Sequence, residues 1–270
     1  FQGLVVGKGE RYNYSLYARS ENFEGPLVVS LESASGTVYA QDEINGLTNE
    51  WKKFKGTLES NATDKNARLV VKAMGEGTID LDMISLFPER TWNYRENGLR
   101  YDLVKILKDM QPKFLRFPGG CIVEGKNLAN AYRWKDTIGD VAERKMNWNR
   151  WQDAVSITAP YYYQSYGLGF HEYFLLCEDI GAEPVPVINC GMACQYQSGE
   201  LVPMNDLDEW IQDALDLIEY ANGDVTTTWG AKRAANGHPE PFNLKYIAIG
   251  NEQWGEEYFK RYKLFYDTIK

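Results

Sequence analysis

The sequence predicts a β-sandwich followed by an α/β unit that holds part of a (β/α)8 TIM-type barrel. Three observations carry this expectation. Residues 1–87 are short runs of alternating apolar and polar residues, separated by turn dipeptides and free of helical periodicity. After Pro88 the pattern changes to amphipathic helices alternating with short apolar runs. The longest loops follow the C-terminal ends of those runs, the face on which a barrel carries its chemistry. The expected domains are therefore 1–87 and 88–270.

In the first domain Tyr12, Tyr14, Leu16 and Ala18 alternate with Asn13, Ser15, Tyr17 and Arg19, the period of a half-buried strand. Further strands are expected at Leu27–Leu31, Trp51–Leu58, Arg68–Ala73 and Thr78–Phe87. Glu24-Gly25-Pro26, Ser35-Gly36, Asn45-Gly46 and Gly75-Glu76-Gly77 mark turns between them. Trp51 and Tyr39 are candidates for a ligand-facing surface, although a packed core is the better reading of both.

In the second domain Leu103, Ile106, Leu107 and Met110 define one helix face, and Gln111-Pro112 stops that helix. Lys113–Phe117 reads as a strand closed by Pro118-Gly119-Gly120. Phe170, Tyr173, Phe174 and Cys177 mark a second helix, ended by Ile180-Gly181, and Pro184–Asn189 is the next strand. A third helix carries Leu207, Trp210, Ile211, Ala214 and Ile218, with Asn205 as its expected N-cap and Asn222-Gly223 as its end. The return from Asn222 to Asn243 reads as a long loop. Tyr246–Ile249 forms a strand closed by Gly250-Asn251-Glu252, and a last helix begins near Glu256. Parallel strands joined by crossover helices follow from this order.

Composition excludes several functions. The chain of 270 residues carries 29 Lys and Arg against 38 Asp and Glu, a formal charge of −9. With no dense basic cluster, neither nucleic acid nor an anionic membrane surface is an expected partner. No apolar run reaches the roughly 18–20 residues of a membrane span. Aromatic residues, at 14%, suit either a large core or a surface that stacks on neutral hydroxyl-rich ligands. The four cysteines, Cys121, Cys177, Cys190 and Cys194, have no zinc or redox spacing and read as buried small residues. Two histidines, His171 and His238, are too few for a multi-His metal site; no metal is expected, and the chemistry read below calls for no organic cofactor. The chain begins at Phe1 without an initiator Met and ends inside a helical pattern, so it reads as a piece of a longer protein.

The strongest chemical feature is Ile247-Ala-Ile-Gly-Asn-Glu252, an apolar strand that delivers a carboxylate to its end. A dry strand-end pocket favours a neutral carboxyl and suits a general acid. A Glu that caps the following helix is the competing reading. Arg116, in Phe114-Leu-Arg-Phe-Pro-Gly-Gly-Cys121, would aim at the same face, unless it is a core Arg paired with a neighbouring acid. Between strand and helix lie Trp134, Trp148, Trp151, Tyr161, Tyr162, Tyr163 and Tyr166, either sugar-stacking or a satellite core under a long loop. Asn189 reads as a turn former.

These residues resemble a family. Arg116–Cys121, Trp134–Gly139, Cys177–Pro184, Ala235–Pro241 and Ile249–Glu252 are similar, in this order, to stretches of the α-L-arabinofuranosidases of glycoside hydrolase family 51. The resemblance covers roughly residues 98–270 and implies a retaining enzyme on a (β/α)8 barrel, with the three visible strands as strands two, three and four. It implies Glu252 as acid/base, Asn251 and Arg116 as sugar-binding residues, and Cys121 where many relatives carry Asn. Trp151 falls near a Trp that borders the substrate pocket. The nucleophile Glu of strand seven would lie outside the chain, leaving residues 1–270 inactive alone, since retaining chemistry needs two carboxyl groups about 5–5.5 Å apart. More weakly, residues 1–87 resemble a carbohydrate-binding sandwich module. The implied partner is an arabinose-containing plant polysaccharide or oligosaccharide, outside the cytoplasm (extracellular or periplasmic). A homo-oligomeric parent is left open, as are a retaining glucanase, xylanase or galactanase and a non-catalytic carbohydrate-binding protein.

Overall fold

The computed structural model describes residues 3–151 and 163–270, and the chain divides into two units, Phe1–Ile106 and Leu107–Lys270. In the first unit, strands β1 (Leu4–Val6), β2 (Arg11–Glu21), β3 (Leu27–Glu32), β4 (Val38–Ile44), β5 (Lys52–Glu59), β6 (Asp64–Ala73) and β7 (Thr78–Pro88) form two antiparallel sheets. Their orders are β1-β6-β3-β4 and β5-β2-β7. The alternation in β2 works as expected: Tyr12, Tyr14, Leu16 and Ala18 are buried against Val29 and Leu31 of β3, Leu58 of β5 and Ala67 of β6. Strands β1 and β4 have no counterpart in the sequence reading. Each lies at the edge of its sheet, and in β4 the acidic Val-Tyr-Ala-Gln-Asp-Glu-Ile leaves only Ile44 buried. Trp51 departs from the core reading. It is 44% exposed, with the Arg19 guanidinium 5.0 Å from its ring. Tyr39 packs against the core edge and donates its hydroxyl to Asp64 Oδ2 at 2.9 Å.

Helix α1 (Tyr101–Asp109) follows. Val104 is its buried residue, whereas Leu103, Ile106, Leu107 and Met110 are exposed. Strands β8 (Phe114–Phe117), β11 (Glu183–Ile188) and β12 (Ala248–Ile249) then form a parallel sheet with β11 in the centre. Val185 lies opposite Arg116, and Ile188 opposite Ile249. A short antiparallel pair, β9 (Asn147–Trp148) and β10 (Tyr163–Gln164), sits in the loop after β8. Helices α2 (Phe170–Ile180), α3 (Asp208–Asn222), α4 (Thr228–Ala235) and α5 (Glu256–Ile269) complete the unit. Gly181, at φ 73°, closes α2 and sends Ala182 N–H back to the Cys177 carbonyl at 2.9 Å.

Aromatic rings fill the core between sheet and helices. Phe117 meets Phe170 and Phe174 edge-on at 5.2 and 5.3 Å, and Phe174 stacks on Phe242 at 4.9 Å. Of the loop aromatics, Trp134 and Tyr166 belong to this core, Trp148 is half-buried, and Tyr163 and Trp151 are exposed. Tyr161 and Tyr162 lie outside the described residues.

Two expectations need correction. Asn205 is not the N-cap of α3. It lies in a 3-10 turn, Met204–Asp206, that leads into the helix, and Leu207 holds the cap position. The return from Asn222 is not all loop, because it contains α4. The Thr227 side chain caps it, accepting from Gly230 N–H at 3.1 Å. The buried Arg233 guanidinium of α4 donates to the Tyr220, His238 and Pro239 carbonyls at 2.8, 3.1 and 2.7 Å. Among the described residues, no helix is long and apolar enough to cross a membrane.

Phe174→Ala removes a fully buried ring with three aromatic neighbours and is expected to cost about 3–5 kcal/mol. Denaturant unfolding would report this as a lower midpoint. An unchanged midpoint would show that the core does not rest on this ring.

Candidate active site

The C-terminal ends of β8, β11 and β12 open on the same side of the sheet, as in any parallel sheet. After β12 the chain turns sharply. Gly250 N–H donates to Ile188 O at 2.7 Å, and φ at Gly250 is 76°. A side chain is strained at this left-handed φ, and its Cβ would also stand 2.5 Å from Gln253 Oε1, so the position favours glycine. Glu252 also has a left-handed backbone, at φ 51°. This turn buries Asn251 (6% exposed) and turns Glu252 out to solvent. The partly dry pocket expected around Glu252 is not formed by the described residues.

Asn251 is served at both ends. Arg116 Nη2 donates to its Oδ1 at 2.6 Å, and its Nδ2 donates to Glu124 Oε2 at 2.9 Å. Its backbone N–H donates to Gln253 Oε1 at 2.5 Å. Arg116 is exposed and donates also to Gly119 O at 2.7 Å, so it is not a core ion pair. The Cys121 thiol, half-buried, donates to Glu252 Oε2 at 3.0 Å. Burial, and then the Glu252 carboxylate, push this thiol up to about 11. The structure thus joins Arg116, Cys121, Asn251 and Glu252 directly.

Glu124 and Arg150 were not found from the sequence. Glu124 is 3% exposed and accepts from Arg150 Nη1 at 3.2 Å. Burial pushes its carboxyl up, against the pull of Asn251 and Arg150. The signal available was its spacing. Val123 N–H and Gly125 N–H bond back to Gly120 and Cys121 carbonyls, which makes a helical turn, and residues three apart on such a turn share a side. Trp151 joins the site at one remove. It is exposed, with the Arg150 guanidinium 4.3 Å from its ring. Asn189 is a turn former, its Oδ1 accepting from Gly191 and Met192 N–H at 2.7 and 3.0 Å.

Potential metal-ligand atoms of Cys121, Glu124 and Glu252 lie within 4.8 Å of one another. The set suits a cation poorly, since the thiol is held protonated and both Glu124 oxygens already accept hydrogen bonds, one from a cation. The histidines bond elsewhere, His171 to Tyr220 and His238 to Glu178.

Residues 106–270 match the family model described as the α-L-arabinofuranosidase 1 domain, and the chain belongs to this family. Over 99% of its length it is 39% identical to the extracellular exo-α-L-arabinofuranosidase of Streptomyces chartreusis, spanning 32% of that protein. It is also 39% identical to α-L-arabinofuranosidase 1 of Arabidopsis thaliana, over 100% of the chain and 38% of the relative. Its whole length superposes on an arabinose-bound GH51 α-L-arabinofuranosidase with a TM-score of 0.86 at 33% identity, covering 43% of that chain. The family resemblance read from the sequence is therefore correct, and the chain spans well under half the length of these relatives.

Cys121 is the one cysteine of the four that is not buried. Its alkylation by iodoacetamide should be slow at pH 8 and should still be rising at pH 10, because the thiolate forms only near pH 11. Peptide mass spectrometry across pH would measure this, and a rate already level at pH 9 would contradict it.

Proposed function

We propose that the protein carrying this chain is a retaining, exo-acting α-L-arabinofuranosidase, with Glu252 as general acid/base. The observation that carries this reading is the strand-end constellation itself: an exposed carboxylate beside a buried amide, a guanidinium and a thiol donor. Glu252 protonates the departing glycosidic oxygen and later deprotonates the water that releases the sugar. Asn251, Arg116 and Cys121 present polar atoms to the sugar, with Trp151 at the rim. The names of the family and of its relatives support arabinofuranosyl cleavage. A relative named extracellular supports export, and arabinan or arabinoxylan is the proposed substrate.

The attacking carboxylate lies outside residues 1–270 in this proposal, so the chain alone is inactive. Glu124 is close to Glu252, but it is buried and both its oxygens are engaged, by Asn251 and Arg150. Its work is to hold Asn251.

We read the first unit as a carbohydrate-binding-module-like β-sandwich, supported by two antiparallel sheets that share one core. We read β8, β11 and β12 as strands two to four of a (β/α)8 barrel. Their parallel pairing and crossover helices support this, as do the outer edges of β8 and β12, which pair with no further strand among the described residues. Exposed apolar residues on α1 and α5, such as Ile106, Leu107 and Phe259, are suited to cover by further barrel segments.

In the full-length protein, Glu252→Ala should lose roughly 10²–10⁴-fold in rate on an aryl α-L-arabinofuranoside. Azide should rescue it, giving the glycosyl azide with retained configuration. Full activity in the variant would refute the assignment. A mechanism-based arabinofuranosyl inhibitor should label a carboxylate beyond Lys270 or before Phe1. A label on Glu124 would overturn the role given to it.

A further inference from the structure

The loops after β11 and β12 carry a pair of aromatic rings that the assignment above leaves unused. Tyr196 is 87% exposed and Trp254 45%, with ring centroids 4.9 Å apart and planes inclined by 46°. Single exposed aromatics are ordinary on any protein. This pair differs because it is braced. Gln195 Oε1 accepts from Trp254 N–H at 2.9 Å, while Gln195 Nε2 donates to Trp254 O at 3.1 Å. One side chain therefore holds both backbone polar groups of Trp254, and its neighbour in sequence is Tyr196. Gln253 ties the same two loops again, accepting from Asn251 N–H and donating to Met192 O. Among the described residues, neither the Tyr196 hydroxyl nor the Trp254 indole N–H has a hydrogen-bond partner.

We propose that Tyr196 and Trp254 form a stacking platform for the leaving-group side of the substrate, a neutral pentose oligosaccharide. The proposal rests on reading Glu252 as the general acid. An acid must reach the oxygen that it protonates, and that oxygen belongs to the departing sugar. The departing sugar therefore lies on the Glu252 side of the cleavage point, and Trp254 stands two residues beyond Glu252 in the same turn. Aromatic faces take up the C–H faces of a sugar ring, and the free O–H and N–H meet its hydroxyls. A chain of net charge −9 favours a neutral ligand over an acidic one. The double brace holds the rings in place before binding, which reduces the ordering cost.

The test uses the full-length protein with Trp254→Ala and Tyr196→Ala, each beside its Phe counterpart. kcat/KM is measured on methyl α-L-arabinofuranoside, whose leaving group cannot stack, and on α-1,5-arabinotriose and an arabinosylated xylotriose. The Ala variants should lose roughly three- to tenfold more on at least one oligosaccharide than on the methyl glycoside, and the Phe variants should recover most of that difference. Calorimetric titration with the same oligosaccharides, in a Glu252→Gln background, should show the same loss of affinity. Equal losses on all three substrates, or oligosaccharide affinity unchanged by the Ala variants, would overturn the platform. A protein that hydrolyses none of the three, yet binds an oligosaccharide in a Trp254-dependent way, would retain the platform and remove the proposed activity.

Discussion

Asn251 is a buried primary amide, and a buried amide must find partners at both of its ends. Leaving one unpaired costs about 1–3 kcal/mol. Here the two partners have opposite charge. The carbonyl end faces the Arg116 guanidinium, and the amino end faces the Glu124 carboxylate. Turning the amide over would set donor against donor and acceptor against acceptor, so its orientation is fixed electrostatically. The consequence reaches across the sheet. β8 and β12 are not neighbours, since β11 lies between them, yet this amide ties the loop of one to the turn of the other. Because the backbone is left-handed at Gly250 and again at Glu252, burying Asn251 turns the next side chain outward. The position of the exposed carboxylate follows from the burial of its neighbour.

Glu124 then needs an account of its own, because a buried carboxylate is costly without a partner. Arg150 supplies the opposite charge, and the Trp151 ring lies against that guanidinium. A buried ion pair is weak evidence of net stability, since desolvation offsets most of the attraction. What this pair contributes is direction. It fixes the carboxylate that fixes the amide. Positive, neutral and negative groups therefore alternate from Arg116 through Asn251 and Glu124 to Arg150, and each is held by the next.

How much of this could be read from the chain depends on what each residue answers to. Strand β2 and helix α2 were legible because one face of each is buried, and burial imposes a period. Strand β4 was not legible, since an edge strand needs only its ladder bonds, and here every side chain except Ile44 is at least partly exposed, so no buried face imposes a period. Helix α4 escaped because a buried guanidinium on three carbonyls holds it, in place of an apolar stripe. Arg116, Asn251 and Glu252 stood out because they lie at strand ends, whereas Cys121, read with the other cysteines as a buried small residue, was marked only by the family resemblance and is in fact half-buried. Glu124 and Arg150 did not: spacing alone puts Glu124 on the side of the turn that carries Cys121, but its burial depends on partners distant in sequence, Asn251 and Arg150.

The five stretches that reveal the family differ in what they do. Arg116–Cys121 and Ile249–Glu252 meet at the site. The others build what holds it. Trp134 donates its indole N–H to Asp213 O, and the adjacent Lys135 pairs with Asp213 and Asp216, which fastens the long loop after β8 onto α3. Gly181 and Ala182, within Cys177–Pro184, close α2 and feed directly into β11. His238 and Pro239 offer the carbonyls that hold Arg233, and Phe242 stacks on Phe174 just before β12. β11 is the strand on which both β8 and β12 are registered, so a slip at the end of α2 would displace Arg116 relative to Asn251. Their hydrogen bond, at 2.6 Å, leaves no room for such a slip. Scaffold residues that touch no ligand are thereby held to the same geometric tolerance as the residues of the site.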